Sequence, residues 1–235
     1  MERAKAWFGY DSLAFFGRVN ASISHELKNV MAIISETAGL LEDLSDMVST
    51  GSHVPPDMLK SCTASIMEEI QRGFAVIRQM NRFAHSVDTP AESVNLMDIL
   101  NLVIGLCGYV SFSGKISLQP CENVTPVALT CPFLLQAIVY QSLLHTFRNA
   151  GSDAEITISV KARDDTTWRI TFSGFTIGEF KVFPDGVTQT MAASIGVTIR
   201  SDTTADRLEL DVPMRIESRP DIEEKGVLEP LPDLR

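Results

Sequence analysis

A histidine, a carboxylate and an amide stand close together in the N-terminal part of the chain, at His25, Glu26 and Asn29. An imidazole exposed to water, with a base and a hydrogen-bonding side chain beside it, can take a phosphoryl group on a ring nitrogen and pass it on. A lone histidine on an arbitrary helix is more often plain solvated surface. The chemical meaning of these residues therefore depends on the elements that hold them.

Apolar residues around His25 predict a long amphipathic helix. They recur at alternating spacings of four and three, a seam that is typical of helices in coiled-coil-like bundles. The seam consists of Phe16, Asn20, Ile23, Leu27, Val30, Ile34, Thr37, Leu41, Leu44 and Val48. Because Ile23 and Leu27 both lie in the seam, we expect His25 about 160–200° away, at the outermost position. Asn29 follows one turn later on the same side, and Glu26 is the next residue round the helix.

A second helix is predicted to return alongside the first. Asp11 and Ser12 could cap the first helix, which would end near Ser49. After a loop, a second helix is expected over about residues 57–86, with Pro56 suited to its first turn. Its seam consists of Leu59, Thr63, Ile66, Ile70, Gly73, Ile77, Met80 and Ala84. The two helices predict an antiparallel helical hairpin.

The second helix carries further apolar residues off its seam, namely Met67, Phe74, Val76 and Phe83. A single hairpin would leave much of this apolar surface exposed. We therefore predict a homodimer in which two hairpins form a four-helix bundle with twofold symmetry. The alternative is that these residues pack on the chain's own second domain.

The rest of the chain predicts an α+β unit. Helices over residues 97–110, 132–147 and 188–194 accompany strands over 115–119, 127–129, 154–162, 167–172, 197–200 and 207–212. Helices followed by a run of strands are typical of a two-layer α/β sandwich. We expect three parts: the hairpin over residues 1–88, the sandwich over 89–216 and an acidic, proline-containing tail over 217–235.

The composition indicates a soluble cytoplasmic protein. The net charge of −10 argues against nucleic acid as a partner. No stretch approaches the roughly 18 apolar residues that a membrane span needs, and the N-terminus lacks the apolar core of a signal peptide. The four cysteines have no metal-binding spacing, and Cys62, Cys107 and Cys131 lie in apolar surroundings that favour reduced packing residues.

Residues 16–29, FGRVNASISHELKN, resemble the H-box of bacterial two-component histidine kinases. The resemblance implies that His25 is the phosphoacceptor and that Glu26 takes the proton from the imidazole. It also implies that Asn29 positions a water for dephosphorylation of a response regulator. The family usually has a proline next, which kinks the helix. This chain has Val30 there, so we expect a straighter helix.

The predicted sandwich resembles the ATP-binding domain of the same kinases, but it departs from that family's motifs. The two asparagines that hold Mg²⁺ and phosphate in the kinases correspond to Tyr140 and Leu144 here. Residues 170–178 keep glycines but lack the aspartate that reads adenine, and the second glycine-rich motif and the lid are missing. Nucleotide phosphates need backbone N–H groups and Mg²⁺ needs oxygen ligands. We therefore expect a degenerate kinase domain that holds no cofactor, with Mg²⁺ supplied by a partner receiver domain.

These features favour a histidine phosphotransferase of a phosphorelay, similar to the dimeric histidine phosphotransferases. It would exchange phosphoryl between His25 and the aspartate of response-regulator receiver domains without binding ATP. One alternative is a response-regulator phosphatase that uses Glu26 and Asn29. Another is a non-catalytic pseudokinase that binds receivers or a kinase partner. ATP-dependent kinase activity is disfavoured. The candidate docking residues for a receiver are Arg18, Ser22, Lys28 and Ala32.

Overall fold

The computed structural model describes most of the chain. The described residues are 2–107, 115–121, 124–150, 154–175, 183–202 and 204–216, with side chains from residue 12 onward. The predicted tail over 217–235, the end of the helix predicted over 97–110, and Gly178 lie outside these residues.

Two long helices form the N-terminal hairpin, α1 (Glu2–Ser49) and α2 (Pro56–His85). The prediction that Asp11 and Ser12 cap the first helix is wrong, because α1 already begins at Glu2, and no proline interrupts the segment before Asp11. The helix also continues without a break through Val30, where a proline would have kinked it. In the described part of the chain, no helix has the length and apolarity required to cross a membrane.

The two helices pack through part of the predicted seam. Ile23, Val30 and Leu44 of the α1 seam are buried, and so is Val76 of α2, which lies off the predicted seam of its helix. Gly73 marks the close approach, because a Cβ there would lie 3.3 Å from Cγ1 of Val30. Other seam residues are half-buried or exposed, and these are Phe16, Asn20, Leu27, Ile34, Thr37, Leu41 and Val48. One side of the seam therefore meets α2, while the other side stays accessible.

The sandwich follows a short connection. Its described elements are β1 (Glu92–Asn95), α3 (Leu96–Cys107), β2 (Lys115–Leu118), β3 (Val127–Thr130), α4 (Pro132–Asn149), β4 (Glu155–Asp164), β5 (Thr167–Ser173), α5 (Gly186–Ser194), β6 (Thr198–Asp202) and β7 (Arg207–Pro213). The main sheet has the order β2-β4-β5-β7-β6. Its β2–β4 pair is parallel and the remaining pairs are antiparallel. A separate antiparallel pair joins β1 to β3.

The alternating strand patterns produce two different faces on the main sheet. Ile158, Ile170 and Leu210 belong to the apolar face, which is fully buried in the same core as helices α3 and α4. On the opposite face, the carboxylate of Asp211 accepts hydrogen bonds of 2.7 Å from Arg163 and from Arg169. An apolar inner face and a charged outer face are what a period of two predicts for a half-buried sheet.

The predicted α+β class is confirmed, with helices packed on a mixed five-stranded sheet. The sequence pattern predicts no strand at β1, because its four residues show no alternation of apolar and polar side chains. Its pairing with β3 depends on residues more than thirty positions away in the sequence. The four-helix bundle of two copies stays a prediction.

Candidate functional site around His25

His25 lies on the exposed outer side of α1, where the spacing of its neighbours predicts it to be. Within the described residues its hydrogen-bond partner is Asn29, whose Nδ2 lies 3.4 Å from Nδ1 of the ring. This distance is long for a hydrogen bond, so the contact is weak. Because the two residues are one helical turn apart, the amide stays beside the imidazole without further support.

Glu26 does not share this exposed side. Successive helical residues are about 100° apart, and Glu26 turns toward α2 instead. Its carboxylate accepts a hydrogen bond from Nη2 of Arg72, and its side chain is 9% exposed. The sequence places Glu26 beside His25, whereas the structure pairs it with the neighbouring helix.

Arg72 joins two carboxylates at this level of the hairpin. Besides Glu26, it has Nη1 at 3.4 Å from both oxygens of Glu69. Desolvation lowers the pKa of Arg72, but the hydrogen bond and charge of Glu26, with the charge of Glu69, outweigh it and raise the pKa above its usual value. Sequence reasoning missed Arg72, because its pairing depends on the register of α2 against α1. Gly73 follows Arg72 on α2 and closely approaches Val30, which lies one turn beyond Glu26 on α1, and this approach fixes that register.

The surface that surrounds His25 consists of small side chains and two basic ones. Gly17, Ala21 and Ala32 are exposed on the same side of α1, and no atom lies within 4 Å of a Cβ built on Gly17. Arg18 and Lys28 are exposed nearby. Of the four predicted docking residues, Arg18, Lys28 and Ala32 are thus exposed and Ser22 is half-buried. Small side chains leave the imidazole accessible to a bulky partner.

The positions that correspond to the kinase asparagines are apolar in their surroundings. Tyr140 is 3% exposed and packs with Phe15 of α1, and Leu144 packs against the core. Burial raises the pKa of the Tyr140 phenol, the charge of Cys107 adds to that rise, and Arg18 and Arg148 oppose it. Neither side chain offers the oxygen ligands that Mg²⁺ prefers.

Gly174, in the segment that corresponds to the adenine-binding motif, has a packing role. Its φ of 92° is in the left-handed region, and a Cβ there would lie 2.1 Å from the carbonyl oxygen of Glu155. A glycine is required by this close approach of two strands. Among the described residues, no group of three or more His, Cys, Asp or Glu side chains could hold a metal ion.

The other residues with reactive side chains have structural surroundings. The ring of His145 stacks on Phe183 with centroids 4.4 Å apart, and burial followed by the charge of Arg148 lowers its pKa. His85, at the end of α2, places Nδ1 2.7 Å from Asp88. Cys107 is fully buried, which raises the pKa of its thiol to about 12.

Comparison with known proteins finds similarity to solved structures at low sequence identity. No protein-family model matches the chain, and no curated protein matches it. Similar solved structures include a bacterial phosphotransferase, at 15% identity and a TM-score of 0.46, over 85% of this chain and 95% of that one. The nucleotide-free catalytic domain of the histidine kinase ThkA matches at 14% identity and a TM-score of 0.44, over 54% of this chain and 99% of that one. The Acinetobacter baumannii histidine kinase AdeS matches at 10% identity and a TM-score of 0.41, over 81% of this chain and 98% of that one. At these values the activity has to be argued from the geometry of the site.

Proposed function

We propose that this protein is a histidine phosphotransferase that exchanges phosphoryl groups between His25 and the aspartate of response-regulator receiver domains, without binding ATP. The observation that carries the proposal is the exposed imidazole of His25, contacted by Asn29, on a helix face of small side chains. Such a surface suits a donor that is itself a protein, because a small-molecule site would be concave and largely enclosed.

The transfer needs few groups from this chain. The lone pair on Nε2 of His25 attacks the phosphorus of the receiver's phosphoaspartate, so that an N–P bond forms. The P–O bond to the aspartate breaks, and the carboxylate leaves with the electron pair. The receiver supplies Mg²⁺ and most of the charge stabilisation. The reverse sequence passes the phosphoryl group to a second receiver.

The proton on Nδ1 must be held or removed during this reaction. In the resemblance that role belongs to Glu26, but here the Glu26 carboxylate is bound to Arg72. It can serve His25 only if it releases Arg72. The exposed ring can instead lose this proton to water, after which Nδ1 can accept a hydrogen bond from Nδ2 of Asn29. We therefore assign His25 as the nucleophile and Glu26 as a base of secondary importance. Asn29 contacts the imidazole ring through its side-chain amide.

The absence of ATP from the proposed reaction is supported by the packing of the second domain. Tyr140 and Leu144 occupy the positions of the kinase asparagines and pack in apolar surroundings. A nucleotide phosphate or its Mg²⁺ would displace these contacts and find no carboxylate or amide oxygen on either side chain.

The test is phosphoryl transfer from a purified, phosphorylated receiver domain. We expect acid-labile phosphohistidine on the wild-type chain and none on His25→Ala, with no label from ATP and Mg²⁺ alone. His53→Ala, in the exposed loop between the two helices, is the matched control and should be labelled normally. Labelling of His25→Ala, or no transfer from any member of a receiver panel, would reject the proposal.

A response-regulator phosphatase is the second candidate, and the position of Asn29 beside His25 is what favours it. Its amide could orient the water that attacks the phosphoaspartate. In that case Asn29→Ala should stop the loss of phosphate from the receiver, while His25→Ala should retain part of it. A phosphotransferase shows the opposite dependence. Receiver binding that is equal in both variants and the wild type, with no transfer and no dephosphorylation in any of them, would favour a non-catalytic binding protein.

We also propose that the protein works as a homodimer through its hairpin. In the described residues, most large apolar side chains that are exposed belong to α1 and α2. On α2 they include Leu59, Met67, Phe74 and Ile77, which lie along one side of the helix. A second hairpin would cover this stripe and complete the four-helix bundle that the sequence predicts.

A further inference from the structure

Five aromatic side chains meet where the hairpin joins the sandwich. We call this set the aromatic cluster, and it consists of Phe15 and Phe16 of α1, Phe83 of α2, and Phe133 and Tyr140 of α4. Phe15 and Phe83 are fully buried, and Tyr140 is nearly so. The cluster thus contains residues from both parts of the chain, and it continues the main hydrophobic core.

Phe15 is the centre of the cluster. Its ring lies 5.5 Å from Phe83, 5.5 Å from Phe133 and 5.2 Å from Tyr140, measured between centroids. The Phe15–Phe83 pair is edge-to-face, an arrangement that stabilises beyond the area it buries. Two of the three contacts of Phe15 cross from the hairpin to the sandwich. The side chain of one helical residue therefore fills a socket made by the other domain.

A second contact supports the same joint at a different place. The side-chain amide of Gln79 on α2 lies against Gly105 on α3, where a Cβ would come within 2.6 Å of Nε2. A larger residue at Gly105 would push the amide away. The covalent connection is less constraining, since Val87, Asp88, Thr89 and Pro90 are all exposed. The joint is therefore held by packing among four helices more than by the connecting chain.

From these contacts we propose that the aromatic cluster holds the hairpin and the sandwich together as one rigid unit. The sandwich then keeps a fixed position relative to α1. Domains that are joined by a short polar interface usually move relative to each other. A buried cluster of aromatic rings that is continuous with the core has the character of a domain interior instead.

The joint bears on the accessibility of His25. His25 lies ten residues beyond Phe15 on the same helix, which is roughly 15 Å along its axis. The sandwich cannot travel along α1 toward His25 without breaking every cross-domain ring contact. The sandwich then stays fixed against α1 near Phe15, and the imidazole of His25 stays exposed at all times. This inference does not depend on the proposed phosphotransfer.

Hydrogen exchange measured on the full chain tests the proposal from both sides of the joint. Phe15→Ala removes the ring from the hairpin, and Tyr140→Ala removes its neighbour from the sandwich. We expect each variant to speed amide exchange in both domains near the joint, in α1 around residues 15–22 and in α4. The exchange rates should rise roughly a hundredfold, because the loss of a buried aromatic side chain lowers the free energy of unfolding by at least the amount that corresponds to this factor. Exchange in β4 and β5 should change little.

Val124→Ala is the control, since this side chain of the sandwich is 56% exposed and lies outside both the cluster and the proposed contact between copies. It should leave exchange at the joint unchanged. In a Trp7→Phe background, Trp168 fluorescence reports on the sandwich and far-ultraviolet circular dichroism mainly on the helices. The two probes should unfold together in the wild type and separately in the two cluster variants.

The proposal is overturned if the two probes already separate in the wild type. It is equally overturned if Phe15→Ala affects exchange in the hairpin alone and Tyr140→Ala in the sandwich alone. Should the alanine variants not fold, Phe15→Leu and Tyr140→Leu keep most of the volume and lose the ring contacts. They should show the same two-sided acceleration at smaller size, and one-sided acceleration would again contradict the joint.

Discussion

At the scale of single residues, the pairing of Glu26 with Arg72 determines what each can do. Glu26 and Glu69 are both mostly buried, and Arg72, at 46% exposed, is the cation between them. Two carboxylates from facing helices would repel each other without it. Arg72 therefore stabilises the hairpin at the level of His25, and the same bond withholds Glu26 from the imidazole.

We expect Arg72→Ala to destabilise the hairpin by about 1–3 kcal/mol, less than for a fully buried pair because Arg72 is partly in water. Glu26→Gln should cost less, about 1 kcal/mol, since its amide oxygen can still accept from Arg72. Urea unfolding followed by circular dichroism measures both. Arg78→Ala, an exposed arginine of the same helix, is the control and should change stability little. Equal losses from Arg72→Ala and Arg78→Ala would contradict a stabilising role for the pair.

The candidate site was predictable as far as helical geometry alone determines it. The exposure of His25 and its closeness to Asn29 follow from their spacing on one helix. The turn of Glu26 toward a specific arginine does not, because it depends on how α2 is aligned against α1. A motif can therefore identify a candidate histidine and still misplace the carboxylate that stands next to it in the sequence.

At the scale of elements, α4 holds a titratable group in an unusual position. Burial lowers the pKa of His145 below 6.5, and the nearby charge of Arg148 adds to the effect. The folded protein therefore binds a proton at His145 less readily than the unfolded chain does. The lowered pKa of His145 does not change the free energy of unfolding at pH values well above 6.5, and it reduces that free energy as the pH falls below 6.5.

We expect the wild type to lose stability between pH 7.5 and 5.5, and His145→Phe to lose less over the same interval. The upper limit is roughly 1.4 kcal/mol per pH unit below the unfolded pKa. Phenylalanine keeps an aromatic ring against Phe183 and cannot titrate. The measurement is the urea midpoint at the two pH values, with His53→Gln as a control at an exposed position. Identical pH dependence in the wild type and His145→Phe would show that His145 does not contribute.

Most helices and strands were also predictable, because they carry local sequence signals that the exceptions lack. Strands β4 and β5 alternate apolar and polar residues over their length, and helices α2 and α4 begin with a proline in the first turn. These signals are local. Strand β1 has four residues and is defined by its distant partner β3, while the early start of α1 has no local capping signal.

At the scale of the whole molecule, exposed apolar surface is unevenly distributed. The hairpin carries Met67 at 52% exposure and Phe74 at 54%, along with several half-exposed aliphatic residues on the same side of α2. The sandwich buries its apolar sheet face within its own core. A stable monomer would leave this stripe in water, so the imbalance favours a second copy over the hairpin.

We therefore expect a mass of twice 25.8 kDa in analytical ultracentrifugation at micromolar concentration. Phe74→Glu should shift the protein toward the monomer, because a carboxylate buried in the bundle would lack a partner. Ala32→Glu, on the exposed side of α1 near His25, should leave the dimer intact. If both variants and the wild type sediment as monomers, the proposed homodimer is rejected. If Phe74→Glu remains a dimer, the contact between copies lies elsewhere on the chain.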